Sequence, residues 1–180
     1  LCSIKFRTMN HLEYVSYFEN IIKSNIEKLP APFNNSNYYD YTKLNWARFS
    51  RYFKTKTLST ELIETVKNVK ESQQWLLITE PWCGDAAHNV PFIIMAAESN
   101  PLISLSIELR DSEPHNIEKY LTNGTKSIPK LIIRDAEGKD LNVWGPRPAE
   151  CQTLFNDLKD AKVSDDELTL QIHTWYNTNK

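Results

Sequence analysis

Four glycines among 180 residues leave little room for a glycine-rich phosphate cradle, and none forms such a pattern. Nucleotide and hydrolase chemistry therefore find no support. Three cysteines, an odd number spread along the chain, do not make a disulfide framework and fit a reducing compartment. No apolar run approaches the ~20 residues of a membrane span, so no membrane partner is expected. Basic runs are missing too: 21 Lys plus Arg against 23 Asp plus Glu give 21 − 23 = −2, with no electrostatic footprint for nucleic acid. Internal repeats and low-complexity tracts are absent from the sequence. What is present, 41% hydrophobic and 24% charged residues, suits one domain with a sizeable core and an extension. Leu1 is not an initiator methionine, and translation is expected to begin at Met9, with residues 1–8 non-native or disordered. From Met9 no basic region precedes an apolar core, so no secretory signal is read and a cytoplasmic location is expected.

The chain is organised around Trp75 to Ala97. Trp75-Leu76-Leu77-Ile78-Thr79 is a bulky apolar run stopped by Glu80-Pro81, which predicts a strand covered on both faces. Small and apolar residues from Gly84 to Ala97 predict a covered helix. Cys83 then stands at the turn from strand to helix. Free backbone N–H groups and the positive end of the helix dipole stabilise a thiolate there, so its pKa is expected below the free value of ~8.5. Asp85, two residues on, opposes this, because a like charge disfavours the thiolate. If Asp85 is paired with a cation or points to solvent, the helix end should win. If it hydrogen-bonds the thiol, Cys83 should be sluggish.

Before this stretch, Tyr14, Val15, Phe18, Ile21, Ile22, Ile26 and Leu29 recur at helical spacing, predicting a helix over 11–28 ended by Pro30 and Pro32. Residues 33–41, rich in Asn and Tyr, read as a loop, and a second helix is expected over 42–53. Its aromatic and basic mixture has two readings, RNA stacking or the docking of an extension with basic residues facing water, and docking is preferred. Ser59 is a candidate N-cap for the next helix. After it, 103–109 alternates as a strand, a short helix comes near 116–121, and Asn123-Gly124 stops it. Asp135 to Lys139 is turn chemistry between strands 130–134 and 140–144, predicting an antiparallel hairpin. Pro148 opens one helix, and Ser164 with Glu167 forms a capping box for the last.

Four ordered landmarks carry a family resemblance over roughly residues 60–162. Trp82-Cys83-Gly84 after an apolar strand, with Pro91 eight residues past the cysteine, resembles the Trp-Cys-Gly-Pro-Cys motif of the thioredoxin family and its helix-kinking proline. Ser127-Ile128-Pro129 before Lys130-Leu131-Ile132-Ile133 resembles the family's cis-proline loop and next strand. Val143-Trp144-Gly145 falls where the family has its last strand and a glycine facing the site. The resemblance implies an α/β thioredoxin-like fold: a central mixed sheet with helices on both faces, in which strand 75–79 lies between a parallel strand 103–109 and an antiparallel strand 130–134. It divides the chain into a helical extension, 1–56, and a thioredoxin-like domain with a C-terminal helix, 57–180. Ala86 replaces the family's second cysteine, Asp85 its proline, and Leu77 the buried acid that assists the resolving thiol. A dithiol cycle is thereby excluded, and neither Cys2 nor Cys151 is nominated as a replacement.

The expected site draws on both lines. Cys83 is the candidate nucleophile, forming mixed disulfides or thiol adducts, with Asp85 modulating it. Trp82, Gly84, Ile128, Pro129 and Gly145 shape the groove for an extended partner. Arg147 either joins them, pairing with Asp85 or with an anionic ligand group, or is a surface arginine. His88, three residues beyond Asp85, gives poor geometry for a Cys-His pair or a metal site with Cys83 and Asp85, and is read as a partly buried helix histidine. No metal or cofactor is expected. The preferred function is thiol-disulfide chemistry through one cysteine, with a protein or a low-molecular-weight thiol or disulfide as partner. The alternatives are a redox-inactive module that holds a protein in the same groove, or a structural subunit assembled through its aromatic extension.

Overall fold

Strand β1 (Gln73–Thr79) buries every residue from Trp75 to Thr79, so it needs a neighbour on each edge and cover on each face. The structure, a computed structural model, describes residues 8–179. Cys2 and most of the expected non-native start lie outside the described residues. β1 pairs in parallel with β2 (Ile103–Leu109) and antiparallel with β3 (Lys130–Arg134), and β3 pairs antiparallel with β4 (Asp140–Trp144). The order is β2-β1-β3-β4, a mixed sheet flanked by helices. The β3-β4 turn is tied by Asp135, whose carboxylate accepts the N–H groups of Glu137 and Lys139. On the other edge Met9 exchanges two backbone hydrogen bonds of 2.7 Å with Ile107 of β2.

Helix α1 (His11–Lys23) is opened by a reciprocal cap: the Asn10 side chain accepts the Glu13 N–H, and Glu13 accepts that of Asn10. It stops at Lys23, five residues short of the expected end. Ser24 and Asn25 offer the backbone competing partners: the Ser24 hydroxyl donates to the Asn20 carbonyl, and Asn25 caps a separate 3-10 turn, Ile26–Lys28. Helix α2 (Ser36–Thr55) begins six residues earlier than expected, inside the segment read as a loop. Asn35 acts there as an N-cap, its side chain accepting from the N–H groups of Asn37 and Tyr38. Tyr39 ties α2 back to the end of α1 by donating to the carbonyl of Ser24 at 2.8 Å.

The aromatic stripes of α1 and α2 meet each other. Phe18 lies edge-on to Trp46 at 5.2 Å, and Tyr14, Phe18 and Phe49 join Leu76, Leu77, Ile78, Ile107 and Ile132 in the main core. Helix α3 (Thr60–Lys67), capped by Ser59, brings Val66 to a second cluster with Trp75, Leu131, Ala96 and Ala97. Ala96 and Ala97 lie near the end of α4 (Gly84–Glu98), which contains Pro91. The expected short helix is a 3-10 turn, Asn116–Lys119. Helix α5 (Ala149–Asp160) starts after Pro148, and α6 (Asp165–Thr178) is capped by the Ser164 hydroxyl, which accepts from the Glu167 N–H. The two pack around Cys151, Ile172 and Tyr176. Among the described residues no helix is long and apolar enough to cross a membrane.

One backbone contact fixes how β4 leads back to the centre. Gly145 has φ +114°, and a Cβ built there would lie 2.1 Å from the carbonyl oxygen of Pro129. Gly145→Ala is expected to destabilise the fold by about 3 kcal/mol or more, since it adds left-handed strain to a clash with backbone. Urea unfolding measures this, and an unchanged midpoint would refute the close approach.

Candidate functional site

The loop after β1 turns tightly, the Cys83 N–H donating to the Glu80 carbonyl at 3.1 Å, and Cys83 becomes the N-cap residue of α4. Its thiol faces inward. Cys83 is 8% exposed, belongs to the main core, and its Sγ–H donates to the Ile128 carbonyl at 3.3 Å. The Ile128–Pro129 peptide is cis, and both residues are buried. Burial first, and the charge of Asp85 second, push the Cys83 thiol up to about 12, while the N–H groups of Ala86 and Asp85 and the Arg147 cation pull the other way. The expectation of a lowered value is thus corrected. The helix end does favour the thiolate, but removing the sulfur from water outweighs it.

Asp85 is paired, and its partner is Arg147. Two contacts join them, Nη2 to Oδ2 at 2.7 Å and Nε to Oδ1 at 3.1 Å, with both side chains nearly buried. Tyr176 of α6 donates to Asp85 Oδ1 at 3.0 Å. Burial still holds the Asp85 carboxyl above its usual range, against the pull of Arg147 and Tyr176. The Arg147 guanidinium also lies 3.9 Å from the centre of the Phe155 ring and donates to Gln152. It is therefore engaged inside the protein, between α4 and α5.

Residues far away in sequence close over the rest of the loop. Asn45 of α2 donates to the Pro81 carbonyl at 3.1 Å, and Tyr38 meets the Trp82 ring edge-on at 5.8 Å. Arg110, beyond β2, lies 4.5 Å from the Trp82 ring centre. Gly84 is tightly approached, because a Cβ there would stand 3.1 Å from Cε1 of His173 and 3.3 Å from the Tyr41 hydroxyl, and those side chains would have to give way. His88 is 3% exposed and turns to other partners than the thiol: Nδ1 meets the Tyr52 hydroxyl at 2.7 Å, and Nε2 meets Nδ1 of His173 at 3.1 Å. His173 continues to the Tyr41 hydroxyl at 2.6 Å, and the His88 ring stacks on Tyr176. A chain Tyr52–His88–His173–Tyr41 so joins α2, α4 and α6. Burial and the charge of Arg48 push His173 down to about 4, so it is neutral at physiological pH. Among the described residues no group of three or more metal-ligating side chains converges. Sequence reading missed Tyr38, Tyr41, Asn45, Tyr52, Glu80, Arg110, His173 and Tyr176. Local spacing holds no signal for these contacts, which join residues up to 132 positions apart.

The strand-loop-helix at Cys83, the proline loop and the glycine behind it together match a family pattern, and the thioredoxin family model aligns with residues 33–162. The chain belongs to the thioredoxin family. Among solved structures this thioredoxin-family chain is similar to a protein of unknown function from Pseudomonas aeruginosa, at 17% identity over 94% of this chain and 96% of that one, TM-score 0.52. It is also similar to an HIV epitope scaffold, at 18% identity over 91% of this chain and 88% of that one, TM-score 0.51. At such identities the likeness is one of fold. No curated protein matches the sequence significantly. The family match takes in α2 but neither α1 nor α6, so His173 and Tyr176, which close over the cysteine loop, lie beyond it.

The charges around the loop can be tested at two positions. Asp85→Asn removes the second cause of the raised thiol value and leaves Arg147 unpaired. Thiolate ultraviolet absorbance against pH should shift to a lower midpoint, with a stability loss of about 3 kcal/mol for breaking a nearly buried pair. An unmoved midpoint would refute the coupling. Glu80, 5% exposed, is raised from 4.5 to about 7, chiefly by burial. A carboxyl whose folded value is raised binds its proton more tightly when folded, so its stabilising contribution is full below the unfolded value and lost as pH rises through the folded one. Glu80→Gln should therefore flatten the fall in stability between pH 4.5 and about 7, read by thermal melts. An unaltered pH profile would count against it.

Proposed function

We propose that this thioredoxin-family chain is a redox-inactive binding module for a protein partner, with Cys83 serving as a packing residue under the partner face. The observation that carries the reading is the state of the thiol: buried, hydrogen-bonded to the Ile128 carbonyl and held protonated at neutral pH. The carbonyl it occupies belongs to the proline loop, so a thiol engaged there presents no nucleophile to a bound disulfide. Above it the surface remains available for contact. Trp82 is partly exposed, Tyr38 is 45% exposed, and Arg110 lies against the Trp82 ring, a set of residue types enriched in interface hot spots. Arg147 contributes from inside by neutralising Asp85, which holds the start of α4 in place.

A second reading, exchange through Cys83 alone, is favoured by one feature, the N–H groups of Asp85 and Ala86 that face the sulfur. They would stabilise a thiolate once the thiol reached water. Alkylation distinguishes the two. With Cys83→Ser as the blank for the other cysteines, the folded protein at neutral pH should react about a thousandfold or more slower than a free cysteine of pKa ~8.5. Reaction at the free rate, or faster, would overturn the redox-inactive reading and support exchange.

A further inference from the structure

Glu80 is the last residue before the cysteine loop, and its carboxyl has almost no access to water. The backbone N–H groups of Asp111 and Arg110 face it, the former at 3.3 Å from Oε1. The charged and titratable groups around it come from three elements. Tyr14 and Tyr17 stand on α1, Arg110 and Asp111 come after β2, and Cys83 shares its own loop. Tyr14, Tyr17 and Cys83 are all held above their ordinary values and stay protonated through the neutral range. Arg110 is the cation that faces Glu80, yet its guanidinium is spent elsewhere. Nε and Nη2 grip Asp111 at 2.8 and 2.7 Å, and the plane lies against Trp82.

We infer that Glu80 is a pH switch for the Trp82 lip: neutral, it leaves Arg110 on Asp111 and Trp82; ionised, it draws Arg110 inward and uncovers the indole. The physical reason is a competition for one guanidinium. The Arg110–Asp111 pair is partly solvent-exposed, its side chains 26% and 51% exposed, so water and salt screen Asp111 far more than they screen the buried Glu80 carboxyl. A carboxylate buried without a cation is the costlier arrangement, and it appears only when Glu80 releases its proton to solvent. Ionisation therefore turns the balance from the outer acid to the inner one. Moving Arg110 removes the cation from the Trp82 face and changes the surface offered to a partner. The device acts on the partner face of the proposed module, but its readout is the indole itself, so it stands or falls separately from the thiol measurement.

The test is the indole N–H signal of Trp82 in proton-nitrogen correlation spectra, assigned by its loss in Trp82→Phe and tracked from about pH 5 to pH 9, where a raised carboxyl titrates. The signal should shift with a midpoint near 7, the value toward which burial pushes Glu80. In Glu80→Gln the shift should vanish, which separates it from the titration of histidines. In Arg110→Gln the Glu80 side-chain carbon, read directly, should titrate with a higher midpoint while Trp82 no longer responds. A Trp82 signal that is flat in the wild-type protein, or titrates unchanged in Glu80→Gln, would overturn the proposal. So would a response that persists in Arg110→Gln. Should either variant fail to fold, the Glu80 carbon of the wild-type protein still decides, since a midpoint at the ordinary carboxylate value removes the switch.

Discussion

The Asp85 carboxylate is the point on which the site's geometry depends. It takes two contacts from Arg147 and one from Tyr176, so that the start of α4, the segment after β4 and the final helix converge on one charge. A carboxylate this far from water is tolerated only because its lone pairs are used, and the arrangement is correspondingly specific. Arg147 cannot leave Asp85 for a ligand without leaving that carboxylate buried and unpaired. The same charge sets the chemistry of the neighbouring cysteine, because it adds to the desolvation that keeps the thiol protonated.

Two general forces meet at Cys83 with opposite sign. A helix N-terminus stabilises a thiolate by an amount that depends on how well its N–H groups aim at sulfur. Core burial penalises the thiolate by a larger amount here, and the N–H groups of Ala86 and Asp85 offset only part of it. Burial prevails here because the sulfur lies in the main core with Phe18, Ile117 and Ile128, and α2 and α6 close on the loop around it: Asn45 holds Pro81, Tyr38 meets Trp82, and His173 with Tyr41 stands tightly against Gly84. The thioredoxin fold thus supplies the position of the cysteine, and the elements around the loop decide its accessibility. Of these, α6 lies beyond the residues that the family model matches.

The chain from Tyr52 through His88 and His173 to Tyr41 is a second consequence of that closure. The two imidazoles meet nitrogen to nitrogen at 3.1 Å, and both outer nitrogens find a phenol. Every polar atom of the histidine pair is satisfied, which is how a histidine pair can sit within helix packing. It locks α6 to α2 and α4 without presenting a reactive group. Glu80 contrasts with it: a buried acid with backbone donors and an arginine occupied by another acid, which leaves its charge state free to respond to pH.

Much of the fold was legible in the sequence because its signals are local. The run at Trp75, the alternation at Ile103, the turn chemistry at Asp135 to Lys139 and the caps at Ser59 and Ser164 each place an element, and β1 took the central place expected of it. The misplacements are local as well: Asn35 reads as loop or as cap according to whether the residues after it turn into a helix, and Ser24-Asn25 interrupts a helix whose apolar spacing continues past it. Within the site, Cys83 at the head of α4 and the option of Arg147 pairing with Asp85 came from spacing and motif. What lay outside reach was the solvent access of the thiol, the partners of His88 and the environment of Glu80. By itself the sequence determined the strand-loop-helix and the single cysteine on it, since period and motif are properties of neighbours along the chain. Only the tertiary structure decided that the cysteine is a buried thiol, because desolvation comes from residues such as Phe18, Ile117 and Ile128 that join Cys83 in one core across the fold.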